Sequence, residues 1–514
     1  MPGAAPDDPR RWWALAGLLV SVLVLGVDAT ILNVGLPTLA VELRASTGEQ
    51  QWFVDAFLLV FAAGLLPAGL LGDRYGRRRR LLLGLAVMTA GSLAGALAGT
   101  PALLIAARAV MGLGAALISP LSVAVLPRVF SPAERTRAIG AVTAALAAGL
   151  PLGPLLGGWL LDHHGWRWIF LINVPLLAVG MAACLLLPET RDPAGPRLRP
   201  LGSALVAGGL AALVFGLIEG PYRGWDDPLV PGALGLAVAL FTVLALRQRR
   251  SPEPLLGAHL LRRPGFASNA LIGGLVMFVL AGLLFVLPQY LQSVRGHDAL
   301  GTGLRLLPMT AGVVLATRGC QPLVRTFGSR GVVATGLALL AFSGILGSST
   351  EAASGFGLTA VWLTVAGLGA GLALVPAMDA ALDAVPAGRS GAASALLVAC
   401  RQVGGAIGVA LLGSLLAQSY RGGLDTGPLP PAEAGAARES PAAAHALAER
   451  FALPSVADSA DAAFMDGMSL VLFVCAIAAL GAALLAGLLL PQHRAARDGL
   501  TLVPGAAARP GAGE

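Results

Sequence analysis

Uninterrupted apolar stretches recur along the whole 514-residue chain, and they restrict its fold more than any other feature. At about 18–25 residues, each stretch is long enough to cross a bilayer core of about 30 Å as an α-helix. Backbone polar groups in lipid are satisfied only in helices or closed barrels, and barrel strands would alternate apolar with polar residues. The stretches here are continuous in Leu, Ala, Val and Gly. We therefore predict an all-α integral membrane protein.

The apolar stretches predict about fourteen transmembrane helices. They fall near residues 13–36, 51–71, 81–99, 102–126, 138–161, 167–187, 201–219, 229–246, 267–290, 300–318, 331–348, 357–380, 391–417 and 467–491. A faint internal repeat relates Gly76 to Gly328 and Gly153 to Gly405 by the same interval. It indicates two six-helix bundles separated by a two-helix insert, an architecture in which substrate binds between the bundles.

These predictions divide the chain into consecutive segments. The N-terminal bundle covers 1–190, the insert 191–264, the C-terminal bundle 265–491 with an external loop near 420–465, and a tail 492–514. We interpret the N-terminus as an uncleaved first helix rather than a secretory signal, because a long first span follows it directly.

The chain is strongly basic, with a formal net charge of +7, and all of its 35 basic residues are arginine. Such a balance can indicate nucleic-acid binding. Here, however, the arginines lie in short loops between spans, and 25 of the 35 fall on one side when the N-terminus is placed in the cytoplasm. The positive-inside rule then predicts a multi-pass plasma-membrane protein with both termini cytoplasmic and no nucleic-acid partner.

The loop after the second span reads GLLGDRYGRRRR over residues 69–80. Its glycines allow two helices to approach around a tight loop, and Asp73 can accept hydrogen bonds from arginine groups. We predict a conformational latch between the bundles formed by Asp73, Arg74, Arg77 and Arg137, with Arg135 as a further partner. The alternative is a basic loop that only sets topology.

Three charged residues inside or near spans are candidates for proton coupling and substrate binding. Arg108 lies in the fourth span, Asp28 in the first, and Asp55 near the outer end of the second. Ionised groups in a bilayer are costly, so they mark functional sites by default. The alternatives are a structural Arg bound to carbonyls, a neutral Asp28 bonded to Thr30, and a hydrated Asp55 at a helix end.

The fifth span reads GLPLGPLLGG over residues 149–158. Proline removes a helix hydrogen bond, and glycines at this spacing allow close packing and bending. The candidate functional positions of this helix are Gly149, Gly153, Pro154, Gly157 and Gly158. The alternative is an ordinary glycine packing face.

Three further charged residues are secondary candidates: Glu219, Asp379 and Arg401. The alternative for Glu219, at the end of the seventh span, is an interfacial position, and for Asp379 and Arg401 a structural ion pair or latch is an equal alternative to a transport role. The four cysteines lack CxxC spacing, so we expect neither disulfides nor a metal site. The sequence contains no P-loop, HExxH or GxSxG pattern, so we expect no enzymatic activity and no cofactor other than a proton gradient.

Several of these motifs resemble those of the major facilitator superfamily. The 69–80 loop is similar to its GxLaDRxGRkxxl signature, span four to lxxxRxxqGxgaa with Met111 in place of Gln, and span five to the gxxxGPxxGG exporter motif. The stretches 27–37 and 166–175 resemble the fourteen-span drug:proton antiporter branch, which contains multidrug and antibiotic exporters. In that branch the span-four Arg is linked to proton transfer, which implies such a role for Arg108.

The resemblance implies proton-coupled efflux of small amphipathic compounds by alternating access, in a chain that functions as a monomer in the lipid bilayer. Two carboxylates in one cavity would favour lipophilic cationic drugs or antibiotics as substrates. The alternatives are a dedicated exporter of one endogenous metabolite and a membrane sensor that retained the fold but lost transport.

Overall fold

The structure is a computed structural model that describes residues 10–191, 200–250, 260, 263–383, 385 and 390–490. Within these ranges it is helical and contains no strands. The first nine helices are α1 (Arg10–Glu42), α2 (Thr47–Tyr75), α3 (Arg77–Ala96), α4 (Pro101–Ala124), α5 (Leu126–Val129), α6 (Pro132–His164), α7 (Trp168–Leu171), α8 (Asn173–Cys184) and α9 (Pro200–Arg223). The others are α10 (Leu229–Arg250), α11 (Pro264–Gln289), α12 (Ala299–Arg305), α13 (Leu307–Ser348), α14 (Phe356–Asp383), α15 (Ser390–Gly423), α16 (Pro431–Ala437), α17 (Pro441–Phe451) and α18 (Pro454–Leu489), with a π-helical turn at Tyr290–Val294.

Fourteen membrane passes can be assigned among the described residues. Eleven helical segments are long and apolar enough to span a bilayer. One of them, Ala299–Ser348, holds two passes, because Gly328 interrupts α13 with a φ of 77°, a left-handed conformation open to glycine. The remaining passes are α3, which begins with four arginines, and the shorter apolar segment Trp168–Cys184. The predicted fold class is confirmed.

Helix caps place the polar residues of α2 and α4 at matching depths. Ser46 and Glu49 form a capping box at the start of α2, while Thr100 caps α4, which begins with Pro101. Both helices start on the same side of the molecule, and at about 1.5 Å per residue Asp55 and Arg108 each lie roughly 11–12 Å from their helix start. The two charged positions therefore lie at one level.

The helices pack as two groups connected by the insert. In the N-terminal group α1 packs on α6 and α8, and α4 packs between α2 and α3; in the C-terminal group α11 packs on α15, and α13 on α14 and α18. Helix α10 packs on α9, which in turn contacts α2 and α15. The predicted segment boundaries near 190 and 264 adjoin residues outside the described ranges, and the predicted tail 492–514 lies outside them entirely.

The segment predicted as an external loop near 420–465 is largely helical. Helix α15 continues to Gly423 and α18 begins at Pro454, so the spans predicted to end at 417 and begin at 467 are longer in the structure. Between them α16 and α17 pack against one another. The Tyr420 hydroxyl donates to the carbonyl of Ala437 at 3.0 Å, which fixes α16 to the end of α15.

The two sides of the molecule differ in charge and in contact. We call the side where α2 passes into α3, with the loop of Arg77–Arg80, the arginine-rich side, and the other the opposite side. Helices α2 and α4 begin on the opposite side, where α16 and α17 also lie, since the Thr47 hydroxyl at the start of α2 donates to the carbonyl of Glu439 at 2.7 Å.

Candidate functional site

A buried ion pair joins α1 to α4 inside the N-terminal group. The Arg108 Nη1 lies 2.7 Å from the Asp28 Oδ2, and the two side chains are 2% and 1% exposed. The Arg108 Nε donates to the carbonyl of Phe53 on α2 at 2.9 Å, and the guanidinium lies 4.5 Å from the centre of the Phe57 ring. Desolvated charges require such compensation by partners. The structure thus brings together Asp28 and Arg108, two of the candidate residues, and Arg108 ties the pair to α2.

A second layer of polar groups holds Asp28 from the side of α3 and α8. The Asn173 amide nitrogen lies 3.4 Å from the Asp28 Oδ1 and 3.3 Å from the Ser92 hydroxyl. Met111, at the position where Gln is usual, places its sulfur 3.9 Å from the Arg108 Nη1, where it is a weak acceptor. Sequence reasoning placed Asn173 within a motif but assigned it no role; the signal available was an amide at the start of an apolar span.

Asp55 is fully buried, and neither carboxylate oxygen has a hydrogen-bond partner in the part of the chain that the structure describes. It lies one turn from Gln51, whose amide donates to the carbonyls of Val409 and Ala410 on α15, each at 2.9 Å. Residues four apart share a helix face. Asp55 therefore faces α15, whereas Phe53 and Phe57, about 200° away around α2, face Arg108.

This placement separates the two carboxylates that we predicted to share the outer half of one cavity. Asp28 and Asp55 lie at one level but on different sides of α2, and Asp28 is neutralised by Arg108. The helical period fixes this outcome, because Asp55 cannot share a face with Phe53. The predicted preference for cations assumed that both carboxylates line one cavity, and the structure does not place them so. The preference itself stays a prediction.

Two of the helix pairs that close the opposite side join α2 and α6 of the N-terminal group to the C-terminal group. One is α2 with α15, through Gln51. The other is α6 with α12, where the Asp162 carboxylate accepts from the backbone nitrogens of Ala299 at 3.2 Å and Leu300 at 2.9 Å. A carboxylate at these exposed nitrogens is favoured by the helix dipole. Neither Gln51 nor Asp162 was singled out from the sequence, because their partners are distant in the chain.

The glycines of α6 serve two different contacts. Gly149, Gly153 and Gly157 face α1; a Cβ on Gly149 would lie 2.5 Å from the backbone of Gly26. Gly158 faces the other group instead, where a Cβ would lie 2.5 Å from the carbonyl oxygen of Ala299. The ten-residue motif therefore builds one side of the closed contact as well as a packing face.

Pro154 has a local consequence for α6. Since it lacks an N–H, the carbonyl of Leu150, four residues earlier, loses its helical donor. The Thr30 hydroxyl of α1 donates to that carbonyl at 3.2 Å. The exporter-like motif thus exchanges one intrahelical hydrogen bond for a bond to α1, two residues from Asp28.

The predicted latch residues are engaged within the N-terminal group. Asp73 Oδ1 accepts from Arg77 at 2.8 and 2.9 Å, and the Arg77 Nη1 donates to the carbonyl of Ala124 at 3.0 Å. Arg135 donates to the carbonyl of Pro127 at 3.3 Å, while Arg137 is exposed. The expected pairing of Asp73 with Arg135 or Arg137 is therefore replaced by one with Arg77, four residues away and across the turn at Gly76.

The rest of the arginine-rich loop is held by an acid that sequence reasoning missed. The carboxylate of Glu189 accepts from the backbone nitrogens of Arg78 and Arg79, each at 3.2 Å. Arg74 packs its guanidinium 5.8 Å from the Tyr75 ring centre. These contacts connect the loop to the segment after α8, again within the N-terminal group.

The secondary candidates lie apart from the ion pair. Glu219 pairs with Arg223 at 2.7 Å near the end of α9. Arg401 donates to the carbonyl of Leu374 at 3.2 Å, and Asp379 is exposed nearer the arginine-rich end of α14. The structure gives Glu219 a surface ion pair and Arg401 a link between α15 and α14.

On the arginine-rich side the two groups part around a cavity of about 620 Å³. Its walls come from the arginine-rich halves of α2, α9, α11 and α15. This volume lies within the range of about 300–1,000 Å³ that small-molecule sites occupy. Two helical groups that meet on one side, part around a cavity on the other and bury an ion pair beside the contact define a membrane transporter.

The chain belongs to the Major Facilitator Superfamily, whose family model matches residues 18–409. It is 34% identical over 494 residues to the tetracenomycin C resistance and export protein of Streptomyces glaucescens, covering 93% of this chain and 91% of that protein. It is 32% identical to the multidrug efflux pump LfrA of Mycolicibacterium smegmatis, covering 95% and 97%.

The fold is shared with a solved transporter. A crystal structure of a bacterial homolog of the human lysosomal transporter Spinster, inward-facing and unoccupied, superposes with a TM-score of 0.65 at 17% identity. The match covers 93% of this chain and 98% of that one. At this identity the likeness concerns the fold alone.

Proposed function

We propose that this protein exports small amphipathic compounds across the plasma membrane in exchange for protons, by alternating access. The observation that carries the proposal is the buried Asp28–Arg108 pair, which is bonded to α2 beside the closed contact of the two groups. The names of the two full-length relatives, an antibiotic export protein and a multidrug efflux pump, support the direction and the class of cargo.

In this proposal the arginine-rich side faces the cytoplasm, as the positive-inside rule favours. The cavity then lies in the cytoplasmic half of the molecule, and the opposite, closed side is external. Asp73 binds Arg77 within its own group in this inward-facing arrangement. We propose that the latch residues Asp73, Arg74, Arg77 and Arg137 form contacts between the groups only when the cytoplasmic side closes.

Asp28 is the proposed proton carrier, and Arg108 is its counter-ion. A proton can bind the Asp28 carboxylate only in competition with the guanidinium 2.7 Å away. Arg108 also binds the carbonyl of Phe53, so a movement of α2 relative to α4 would pull on the same guanidinium. Outward opening of α2 would weaken the ion pair and allow a proton from outside to reach Asp28.

Asp55 has a separate proposed role at the external contact. Its buried carboxyl has no donor within the α2–α15 contact, and an ionised carboxylate there would be strongly disfavoured. We propose that Asp55 is protonated while the external side is closed and ionises when α2 moves away from α15. Helix α6 forms the second contact that closes the external side, where Gly158 packs against Ala299.

A dedicated exporter of one metabolite is the second candidate. It is favoured by the Streptomyces glaucescens relative, whose name contains a single compound. Transport of several unrelated scaffolds by one purified preparation would remove it.

The test is transport in inside-out membrane vesicles with an imposed pH gradient, acid inside. The wild-type chain is expected to accumulate ethidium, a lipophilic cation, or tritiated progesterone, an uncharged four-ring compound, and to stop when nigericin collapses the gradient. Asp28→Asn, which keeps size but removes titration, is expected to show no gradient-driven accumulation at equal expression. Accumulation that persists after nigericin would remove proton antiport.

A further inference from the structure

Helix α9 of the insert forms a wall of the cavity, although it lies outside the two six-helix groups. The cavity occupies the arginine-rich halves of four helices, and its outer wall is the first part of α9. The positions of α9 that face it are Ser203, Val206 and Leu210.

Beyond this wall, toward the opposite side, α9 is sealed against both groups. Val214 and Ile218 are buried in one apolar cluster with Leu59 of α2 and with Ala406 and Ala410 of α15. The cluster also contains Leu210, which marks where the cavity ends. Helix α9 therefore closes the gap between the groups along its second half and borders an open space along its first half.

Helix α10 supports the wall from behind. A Cβ at Gly208 would lie 3.3 Å from Leu240, and one at Gly209 would lie 2.9 Å from the Phe241 ring. These α10 side chains fill the glycine positions of α9 and support the wall from behind, while Val206 packs at the edge of the apolar cluster. The insert thus has a structural reason to consist of two helices.

The floor of the cavity is the contact of α11 with α15. A Cβ on Gly404 would collide with the backbone of Gly274, so the two helix backbones touch and leave a smooth surface. On the facing side α2 contributes Ala62, Ala63 and Leu66. Larger apolar side chains complete the lining, among them Leu275 and Phe278 of α11 and Ile407 of α15.

The lining determines what can bind. No ionised side chain borders the cavity among the described residues, and its polar side chains there are the Ser203 hydroxyl and the Cys400 thiol. A charge placed in such surroundings would lose its hydration without compensation. Apolar rings gain about 25 cal/mol for each Å² removed from water.

We propose that this cavity binds the uncharged, polycyclic part of the exported compound and that Val206 of α9 sets the size of ring system accepted. The proposal rests on the export function above and names the part of the substrate that this site takes. A charged group on the same compound would lie outside the apolar walls.

The first test measures saturable binding of tritiated progesterone to the purified full-length protein in nanodiscs. Val206→Trp is expected to weaken binding at least tenfold, because the indole fills the cavity. Val238→Trp is the matched control: Val238 lies on α10, is 67% exposed toward the lipid, and its replacement should leave the affinity unchanged. Equal affinities in the two variants, or no saturable binding by the wild type, would overturn the proposal.

A second test needs no substitution, so it remains decisive if Val206→Trp fails to fold. Cys400 borders the cavity, while Cys184, Cys320 and Cys475 are buried elsewhere. Saturating progesterone should slow alkylation of Cys400 by N-ethylmaleimide at least fivefold, as read by mass spectrometry of the peptide. An unchanged alkylation rate would exclude the compound from this cavity.

The failure of the proposed function can be distinguished from the failure of this site. If vesicles show no gradient-driven export but Val206→Trp still weakens progesterone binding, the proposed export function is refuted and the proposed binding site is retained. If Val206→Trp and Val238→Trp export ethidium and progesterone equally, the proposed binding site is refuted and the proposed export function is retained. Phospholipid that copurifies with Val238→Trp but not with Val206→Trp, without probe binding, would assign the cavity to a bilayer lipid and overturn the proposal.

Discussion

Replacing Asp28 by Leu should destabilise the fold through the charge it leaves behind. The guanidinium of Arg108 is 2% exposed and would retain only the Phe53 carbonyl and the Met111 sulfur as acceptors. Removing one partner of a buried ion pair typically costs about 3–5 kcal/mol, because the other charge stays buried without compensation. We therefore expect Asp28→Leu to lower the free energy of unfolding by about 3–5 kcal/mol.

The double variant Asp28→Leu/Arg108→Leu distinguishes the ion pair from ordinary packing. It buries no unpaired charge, and replacing buried pairs by apolar residues is often neutral. Its free energy of unfolding should return to within about 1–2 kcal/mol of the wild-type value. Export should remain absent in the double variant, since the proposed proton carrier is missing.

The assay is unfolding by sodium dodecyl sulfate in mixed micelles, followed by labelling of the cysteines that are buried in the native fold: Cys184, Cys320 and Cys475. The control is Glu219→Leu, which breaks the partly exposed ion pair with Arg223 and should change stability by less than about 1 kcal/mol. If the double variant were as unstable as the sum of its single variants, with no interaction energy between positions 28 and 108, the ion pair would not stabilise the fold and the coupling argument would fail.

Three further predictions concern orientation and the closed contact. In a chain cleared of native cysteines, an impermeant thiol reagent on intact cells should label Ala436→Cys but not Thr136→Cys, two exposed positions on opposite sides; the reverse pattern would invert the topology. Gly158→Val should abolish export by pushing α6 from Ala299, whereas Gly140→Val, where a Cβ meets nothing within 4 Å, should retain it; equal export by both would show that this contact is dispensable. Asp55→Leu should raise the free energy of unfolding by about 1–3 kcal/mol, the scale of an unsatisfied buried polar group. It should also slow export of ethidium more than export of progesterone. Unchanged stability in the same micelle assay would mean that the carboxyl has a hydrogen-bond partner.

The fold was predictable because span length and arginine alternation depend on local sequence. The doubled pass in α13 was predictable for the same reason, since Gly328 follows the pattern seen at Gly76. The sequence indicated that Asp28 and Arg108 would each need a partner, because both are charges inside apolar spans. Nothing in the sequence stated that they would pair with each other.

The orientation of Asp55 could not be predicted, because helix phase is set by packing against a helix more than 300 residues away. Gln51 shares its face and reveals it only once its bonds to Val409 and Ala410 are known. The same limit applies to Asp162 and Glu189, whose backbone partners carry no residue-specific signal. The observed partner of Asp73 is Arg77, four residues away and inside the motif itself, and the predicted latch between the groups stays a prediction.

In the proposed arrangement α2 connects proton binding to the external contact, and α1, which carries Asp28, also reaches the C-terminal group, because the Gln292 amide donates to the Val34 carbonyl at 2.8 Å. One face of α2 accepts the Arg108 Nε at the Phe53 carbonyl, and the other carries Gln51 and Asp55 against α15. If α2 moves relative to α4 as it leaves α15, the Phe53 carbonyl is displaced from Arg108, and loss of that acceptor weakens the hold of the guanidinium on its present position. We propose that the competition between Arg108 and a proton for Asp28 is decided by this movement, which also opens the external side. Coupling in this arrangement needs no direct contact between Asp28 and the exported compound, which can occupy the apolar cavity on the arginine-rich side while α2 transmits the state of the ion pair.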